Sequence, residues 1–352
     1  MAPNTCTSYL PPEIIENILL RSSVKPLLRF KSVSKSWNTL ISDPIFVRNH
    51  HNQSKKSSSD NLFLCHDYYT LSYSNLYSVV KLEDRKLQTL QVFECSYRWE
   101  DYVCSCDGVI LLATGCDTYR RFTLWNPSTR TRTELCHPRR RIEASYGLSR
   151  DPTTGDFKVV VVGWRDSYSV YSCNNKSWMI FNKEHETPPR TGPSSCYRSF
   201  PEVCVDGVSY WVWRNTSHIV YHDPRDDKLK ILQKPENVDD NETIYLVGLR
   251  GSLCMYCKGR DEHTVDFWTK EKGIDNNSWN ELMTVENVCM RIWNFQPLCF
   301  VEDKIVIQDR RRDKLLAYIP CEKRFEEFEG DAQPFDRVRL PIPYTESLVF
   351  PG

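Results

Sequence analysis

From about residue 100 onward the same turn grammar keeps returning. Asp107-Gly108, Thr154-Gly155-Asp156, Asp206-Gly207, Arg250-Gly251 and Glu302-Asp303 each precede a short strand-like run: Val109–Ala113, Val159–Val162, Val208–Val212, Ser252–Tyr256 and Lys304–Ile307. A second strand follows in most units and ends in another turn, as in Trp125-Asn-Pro-Ser-Thr129, Tyr171-Ser-Cys-Asn-Asn175, Tyr221-His-Asp-Pro-Arg225 and Tyr318-Ile-Pro-Cys321. Matching points lie roughly 45–50 residues apart, the repeat length of a four-stranded propeller blade. Five units follow residue 100, and Leu62–Phe93 supplies a sixth, so about six blades are expected. Tyr344–Phe350 is expected to be a lone strand that closes the ring and removes open sheet edges. A decorated β-sandwich is the alternative architecture. The 10 Trp, 18 Tyr and 15 Phe suit half-buried strands.

The first part of the chain has a different period. Leu10, Ile14, Ile15, Ile18 and Leu19 make one apolar stripe at helical spacing, with Pro11 and Pro12 in the first turn and Glu13 at the positive helix end. Ser22-Ser23 breaks this helix, and either serine could cap a second one bearing Val24, Leu27, Leu28 and Phe30. A third carries Val33, Trp37, Leu40 and Ile41 and stops at Asp43-Pro44. Three helices in some forty residues bury little core alone, so the module is expected to complete it against a partner. Residues 50–60 contain no apolar side chain and are expected to be flexible. The expected organisation is α+β multidomain: a small helical unit over 1–49, a flexible linker over 50–61, and an all-β, propeller-like domain over 62–352.

Composition narrows the function. Lys+Arg and Asp+Glu are both 46, so the formal net charge is zero, unlike a generally basic nucleic-acid binder. No basic n-region with an apolar h-region starts the chain, and no apolar run reaches the roughly 18 residues of a spanning helix. The 15 cysteines, an odd number, suit reduced thiols in the cytoplasm or nucleus. No nucleic-acid or membrane partner is expected.

The helical segment resembles a known family. Leu10-Pro-Pro-Glu-Ile-Ile-Glu-Asn-Ile-Leu-Leu-Arg21, followed by Leu27-Leu-Arg-Phe-Lys-Ser-Val-Ser-Lys-Ser-Trp-Asn-Thr-Leu-Ile-Ser-Asp-Pro44, is similar to the F-box of plant F-box proteins. The remainder resembles the F-box-associated, kelch-like propeller domain through Leu124-Trp-Asn-Pro-Ser-Thr129, Gly147-Leu-Ser-Arg-Asp-Pro-Thr-Thr-Gly-Asp-Phe-Lys-Val-Val160 and Glu346-Ser-Leu-Val349. The resemblance implies a substrate-recognition subunit of an SCF-type (Skp–cullin–F-box) ubiquitin ligase. Its F-box would dock on a Skp-family adaptor, and through it on cullin and RING subunits, while the β domain captures a protein for ubiquitination and degradation. Carried over by position, Leu10, Pro11, Ile15, Ile18, Leu19, Leu28, Val33 and Trp37 would contact the adaptor. Where the family usually has Leu-Pro this chain has Ser22-Ser23, and Pro26 replaces a common Ser, which implies weakened adaptor contact.

Several other features have a functional and a bland reading. Cys254-Met-Tyr-Cys257 has C-x-x-C spacing, but residues three apart on a strand point to opposite faces, and no second pair completes four ligands. His218 and His222 share a strand face without a third ligand. Buried thiols and an ordinary exposed His pair are therefore expected, with no metal and no cofactor. Arg139-Arg-Arg141 and Arg310-Arg-Arg312 are expected to be solvated loops. No G-x-S-x-G, H-E-x-x-H, P-loop or G-x-G-x-x-G occurs, so a non-catalytic receptor is expected, any ligase chemistry lying on the RING-bound conjugating enzyme. Two alternatives stand beside it: a non-degradative binder with lost adaptor contact, and an enzyme on a propeller scaffold. The substrate is not specified by the sequence. Its contacts are expected in inter-strand loops, with His185–Phe200, Pro235–Thr243 and Asp275–Trp279 as candidates.

Overall fold

The computed structural model describes residues 10–57, 62–67, 75–83, 86–95, 100–114, 121–137, 144–163, 167–182, 202–213, 218–312, 314–327 and 338–350. Among these residues four helices come first: α1 (Pro12–Leu20), α2 (Val24–Phe30), α3 (Lys35–Ser42) and α4 (Pro44–Ser57). The fourth corrects the expectation of a flexible linker from residue 50, because 50–57 is helical. Asp43 closes α3 and opens α4 at once: its Oδ1 accepts from the amides of Ile45 at 2.7 Å and Phe46 at 3.3 Å, with Pro44 in the first helical position. Phe46 then anchors the helix in the core of the helical module, and both His50 and His51 are buried. Apolar anchoring upstream orders a polar segment that its own composition would leave loose.

Among the described residues twenty-four strands follow in six four-stranded antiparallel sheets. The first blade holds β1 (Leu62–Asp67), β2 (Asn75–Glu83) and β3 (Lys86–Cys95). The second holds β4 (Glu100–Cys106), β5 (Val109–Thr114), β6 (Arg121–Asn126) and β7 (Thr131–Cys136). The third has β8 (Ala144–Arg150), β9 (Phe157–Gly163), β10 (Ser167–Ser172) and β11 (Ser177–Asn182); the fourth β12 (Val203–Val205), β13 (Val208–Trp213), β14 (His218–Asp223) and β15 (Lys228–Leu232). The fifth has β16 (Ile244–Leu249), β17 (Ser252–Lys258), β18 (Val265–Lys270) and β19 (Trp279–Val285); the sixth β20 (Phe295–Val301), β21 (Lys304–Asp309), β22 (Lys314–Ile319) and β23 (Arg324–Glu327). A final strand, β24 (Val338–Pro343), supplies the innermost position of the first blade by pairing with β1, Leu64 opposite Ile342. The innermost strands β24, β4, β8, β12, β16 and β20 each touch the next and close a ring. The structure is a propeller, and the sandwich alternative falls. The lone closing strand was expected at Tyr344–Phe350; closure instead comes from β24, and residues 344–350 form an irregular strap.

The core lies between blades. Alternate residues of a strand face opposite neighbours, so each adjacent pair of blades encloses its own apolar cluster. On β17, Leu253, Met255 and Cys257 pack toward the fourth blade, whereas Cys254 and Tyr256 pack toward the sixth. Cys254 and Cys257 thus belong to different clusters, as their spacing requires.

Antiparallel pairing gives the ring two unlike faces. Connections from first to second and from third to fourth strand of each blade lie on one, the turn face. Most are tight, with positive φ at Asp107, Asp206, Arg250 and Glu302 in the first set and at Arg130, Lys176, Asp227 and Lys323 in the second. The remaining connections, including residues 233–243, 259–264 and 286–294, form the loop face.

Candidate docking surfaces

The helical module sits on the turn face, and its core explains why. Leu19, Val24, Leu27, Ile41 and Phe46 bury one another together with Leu348 of the strap, so the module completes its core with the propeller's own tail. Ser34 caps α3 by accepting from the Trp37 amide at 3.1 Å, and the Trp37 ring meets Phe30 edge-on at 5.5 Å. Val47 on α4 packs against the cluster between the second and third blades.

Three polar devices fix the seating. Asn126, fully buried at the end of β6, donates from Nδ2 to Ser347 O at 2.9 Å and Val349 O at 2.7 Å, while its Oδ1 accepts from the Ser128 and Thr129 amides. One side chain therefore both shapes its turn and clamps the strap. Gly108 beside it has φ of 81°, and a Cβ there would meet Ser347 Cβ and Thr345 O at 2.5 Å, so only glycine admits the strap. Asp107 then joins three elements: Oδ2 accepts from Arg150 Nη1 at 3.0 Å, and Oδ1 lies 3.0 Å from His51 Nε2 on α4. His50 places Nε2 2.8 Å from Ser22 O, and burial lowers its pKa below the ordinary imidazole value. Burial raises the Glu346 carboxyl, partly offset by the Val24 amide.

The structure divides the apolar stripe of α1. Leu10 and Pro11 are exposed, Ile18 is 53% exposed and Val33 65%. Ile15, Leu28 and Trp37 are half-buried against the module's core. Leu19 is 1% exposed and cannot face an adaptor; it is a core residue, corrected from the contact set expected by position. Ile14 (46%) and Ile45 (59%) are exposed as well and do not belong to that set. Ile14 belongs to the apolar stripe, whereas Ile45 follows Asp43-Pro44, a pair that ends α3 and starts α4 together. Ser23 occupies the N-cap of α2 without a side-chain cap bond, and Ser22 Oγ donates back to Ile18 O at 3.0 Å.

A cavity of about 860 Å³ runs along the ring axis to the turn face, where Asn52 of α4 borders it. Glu202, Gln296 and Tyr256 are among its walls, and burial pushes the Glu202 carboxyl up to about 8. Among the described residues no group of three His, Cys, Asp or Glu side chains could hold a metal ion. No described helix is long and apolar enough to cross a membrane. Of the expected exposed His pair, His222 is fully buried: its Nδ1 lies 3.1 Å from Ser149 Oγ and its Nε2 3.5 Å from Asp227, which Lys158 also engages. The third and fourth blades share this network, a tertiary fact invisible in a two-residue spacing.

Of the candidate recognition loops, Pro235–Thr243 lies on the loop face and Asp275–Trp279 on the turn face, where Asp275 pairs with Arg225. His185–Phe200 and Arg139–Arg141 lie outside the described residues. Arg310–Arg312 form the loop-face connection between β21 and β22, with Arg311 and Arg312 exposed.

Residues 8–49 match the model of the F-box domain, and residues 68–350 that of the F-box associated beta propeller domain. An F-box/kelch-repeat protein of Arabidopsis thaliana is 26% identical over 351 residues, covering 90% of this chain and 89% of its own. An F-box/LRR-repeat/kelch-repeat protein of the same plant is 24% identical over 385 residues, covering 97% and 96%. A third Arabidopsis thaliana relative, described as a putative F-box protein, is 24% identical over 361 residues, covering 91% and 88%.

Proposed function

The chain belongs to the F-box proteins with an F-box associated beta propeller domain, and from that premise we propose that it is the substrate receptor of a Skp–cullin–F-box ubiquitin ligase. The observation that carries the proposal is the row of apolar side chains left open on a firmly seated module. Ile14, Ile18 and Ile45 on the helices, with Leu10 before α1 and Val33 between α2 and α3, stay exposed while Leu19, Leu27, Ile41 and Phe46 fill the module's core. An amphipathic helical surface of this kind suits helix-in-groove docking. Leu10, Pro11, Ile15, Ile18 and Val33 contact the adaptor directly in this reading, joined by Ile14 and Ile45; Leu28 and Trp37 support them from the half-buried layer. Cullin and RING subunits join through the adaptor, in the cytoplasm or nucleus. The chain itself performs no chemistry; ubiquitin transfer belongs to the conjugating enzyme that RING binds.

The module occupies the turn face, so in this reading the target protein docks at the opposite end of the ring. The test is co-purification of the full-length chain with a recombinant Skp-family adaptor and cullin. The wild-type chain should capture both, and Leu10→Ala with Pro11→Ala should capture neither while melting normally. Equal capture by the double variant would remove the F-box reading of this surface. Failure of the wild-type chain to capture adaptor would favour a non-degradative binder, to which Ser22-Ser23 points.

A further inference from the structure

The loop face carries one sector in which an exposed tryptophan meets exposed arginines. On the turn face Arg225 is paired with Asp223 and Asp275, and Arg324 with Glu322 and Glu326. Between the fifth and sixth blades the arginines gather instead around an aromatic side chain. The connection from β19 to β20 ends in a single 3-10 turn, Ile292–Asn294, which holds Trp293 51% exposed, the largest exposed aromatic among the described residues. Arg291 lies over its indole at 5.0 Å. The neighbouring connection, Arg310–Arg312, is tied to this turn by the Arg310 amide, which donates to Asn294 O at 2.9 Å. Asp309 shapes that second loop by accepting from the Arg311 amide at 3.0 Å. Its carboxylate is almost wholly buried and lies 3.8 Å from Arg312 Nε. Among the described residues neither Arg291 nor Arg311 has a carboxylate partner. Two backbone-linked loops thus present an aromatic plate and three exposed guanidinium groups, two of them without a carboxylate partner among the described residues.

We propose that this sector, with Trp293 at its centre and Arg291, Arg311 and Arg312 around it, docks an acidic peptide segment carrying an apolar side chain. The inference rests on the receptor reading and names the target chemistry that reading left open. Trp and Arg are the residue types that dominate interface energetics when a partner dries them, and the guanidinium fork matches a carboxylate. A nucleic acid would offer anions too, but it needs a long basic track, and this chain has zero net charge and only a local cluster. Charge complementarity with a short acidic segment is the better fit.

The experiment uses the full-length chain and fluorescence anisotropy with three labelled probes: a peptide of about twelve residues, Glu-rich with one central Phe; the same peptide with Gln for Glu; and an oligo-dT of equal charge. The Glu peptide should bind, weaken steeply with added salt, and lose about ten-fold or more in affinity with Arg311→Glu plus Arg312→Glu. Trp293→Ala should cost about five-fold or more even with the arginines intact. Because all three side chains are exposed, their variants should melt like wild type. Equal binding of Glu and Gln peptides, no binding of either, indifference to the arginine reversal, or tighter binding of oligo-dT would each overturn the proposal. Adaptor capture in the same preparations separates the two readings: captured adaptor without peptide binding sinks this inference alone, and peptide binding without adaptor sinks the ligase role alone.

Discussion

Exposed and buried residues of α1 should respond differently to truncation to alanine. Ile14 and Ile18 have about half of their surface open, at 46% and 53%, whereas Leu19 is 1% exposed. Fully burying an Ile is worth about 1.5–3 kcal/mol, so the open half of each contributes about 0.7–1.5 kcal/mol when a partner covers it. Ile14→Ala with Ile18→Ala should therefore weaken adaptor binding by about 1.5–3 kcal/mol, or about ten- to a hundred-fold in Kd, with little change in melting. Leu19→Ala should instead cost about 2–5 kcal/mol of module stability through the cavity it leaves. Isothermal titration against a Skp-family adaptor gives the first quantity, and amide exchange of α1–α4 the second. Adaptor affinity untouched by the Ile pair, or a helical module destabilised by that pair as much as by Leu19→Ala, would refute the division of the stripe.

Asn126→Ala removes two bonds to the strap and leaves Ser347 and Val349 carbonyls unpaired; about 2–4 kcal/mol of stability should be lost, seen as a lower urea midpoint and faster proteolysis at 344–350. Glu202 keeps its proton in the folded state up to about 8, while the unfolded chain releases it near the ordinary carboxyl value of 4.5, so this residue's contribution falls as pH rises between them. Glu202→Gln should accordingly raise the urea midpoint at pH 8 relative to wild type and leave it similar at pH 4.5. His50 has the opposite sign: its folded pKa is lowered by burial, so it contributes stability above the ordinary imidazole value that is lost as pH falls, and protection of α4 amides should drop on acidification in wild type but less in His50→Gln. Ser22→Leu with Ser23→Pro should tighten adaptor binding, measured by titration calorimetry, since Ser23 makes no side-chain cap bond to forfeit.

Local chemistry carried most of the architecture. Turns such as Asp107-Gly108 and Asp206-Gly207 need positive φ, and their recurrence announced blades before any pairing was known. The closing strand was hidden for an equally local reason. Val338–Pro343 contains Pro341 and Pro343, which argue against a strand, yet the innermost position has one edge facing the axis, where a missing amide costs little. The helix start at Asp43-Pro44 was masked because the residues that stop α3 also start α4. The division of Leu19 from Ile18 was not in the stripe at all; Phe46 and Leu348, 27 and 329 positions away by their numbers, decide it by filling one side. Recognition of the module by its motif preserved neighbouring residues in one set where tertiary contacts separate them.

Ring closure by β24 also imposes a timetable on synthesis. Every blade is translated before the strand that completes the first one, and the helical module waits still longer for Leu348. Until then β1 shows an unpaired edge, and α1–α3 lack a wall of their core. A ribosome that stalls short of residue 338 releases a chain with neither a closed ring nor a finished module. An incomplete copy thus has an open β edge for quality control to seize and a helical module without one wall of its core.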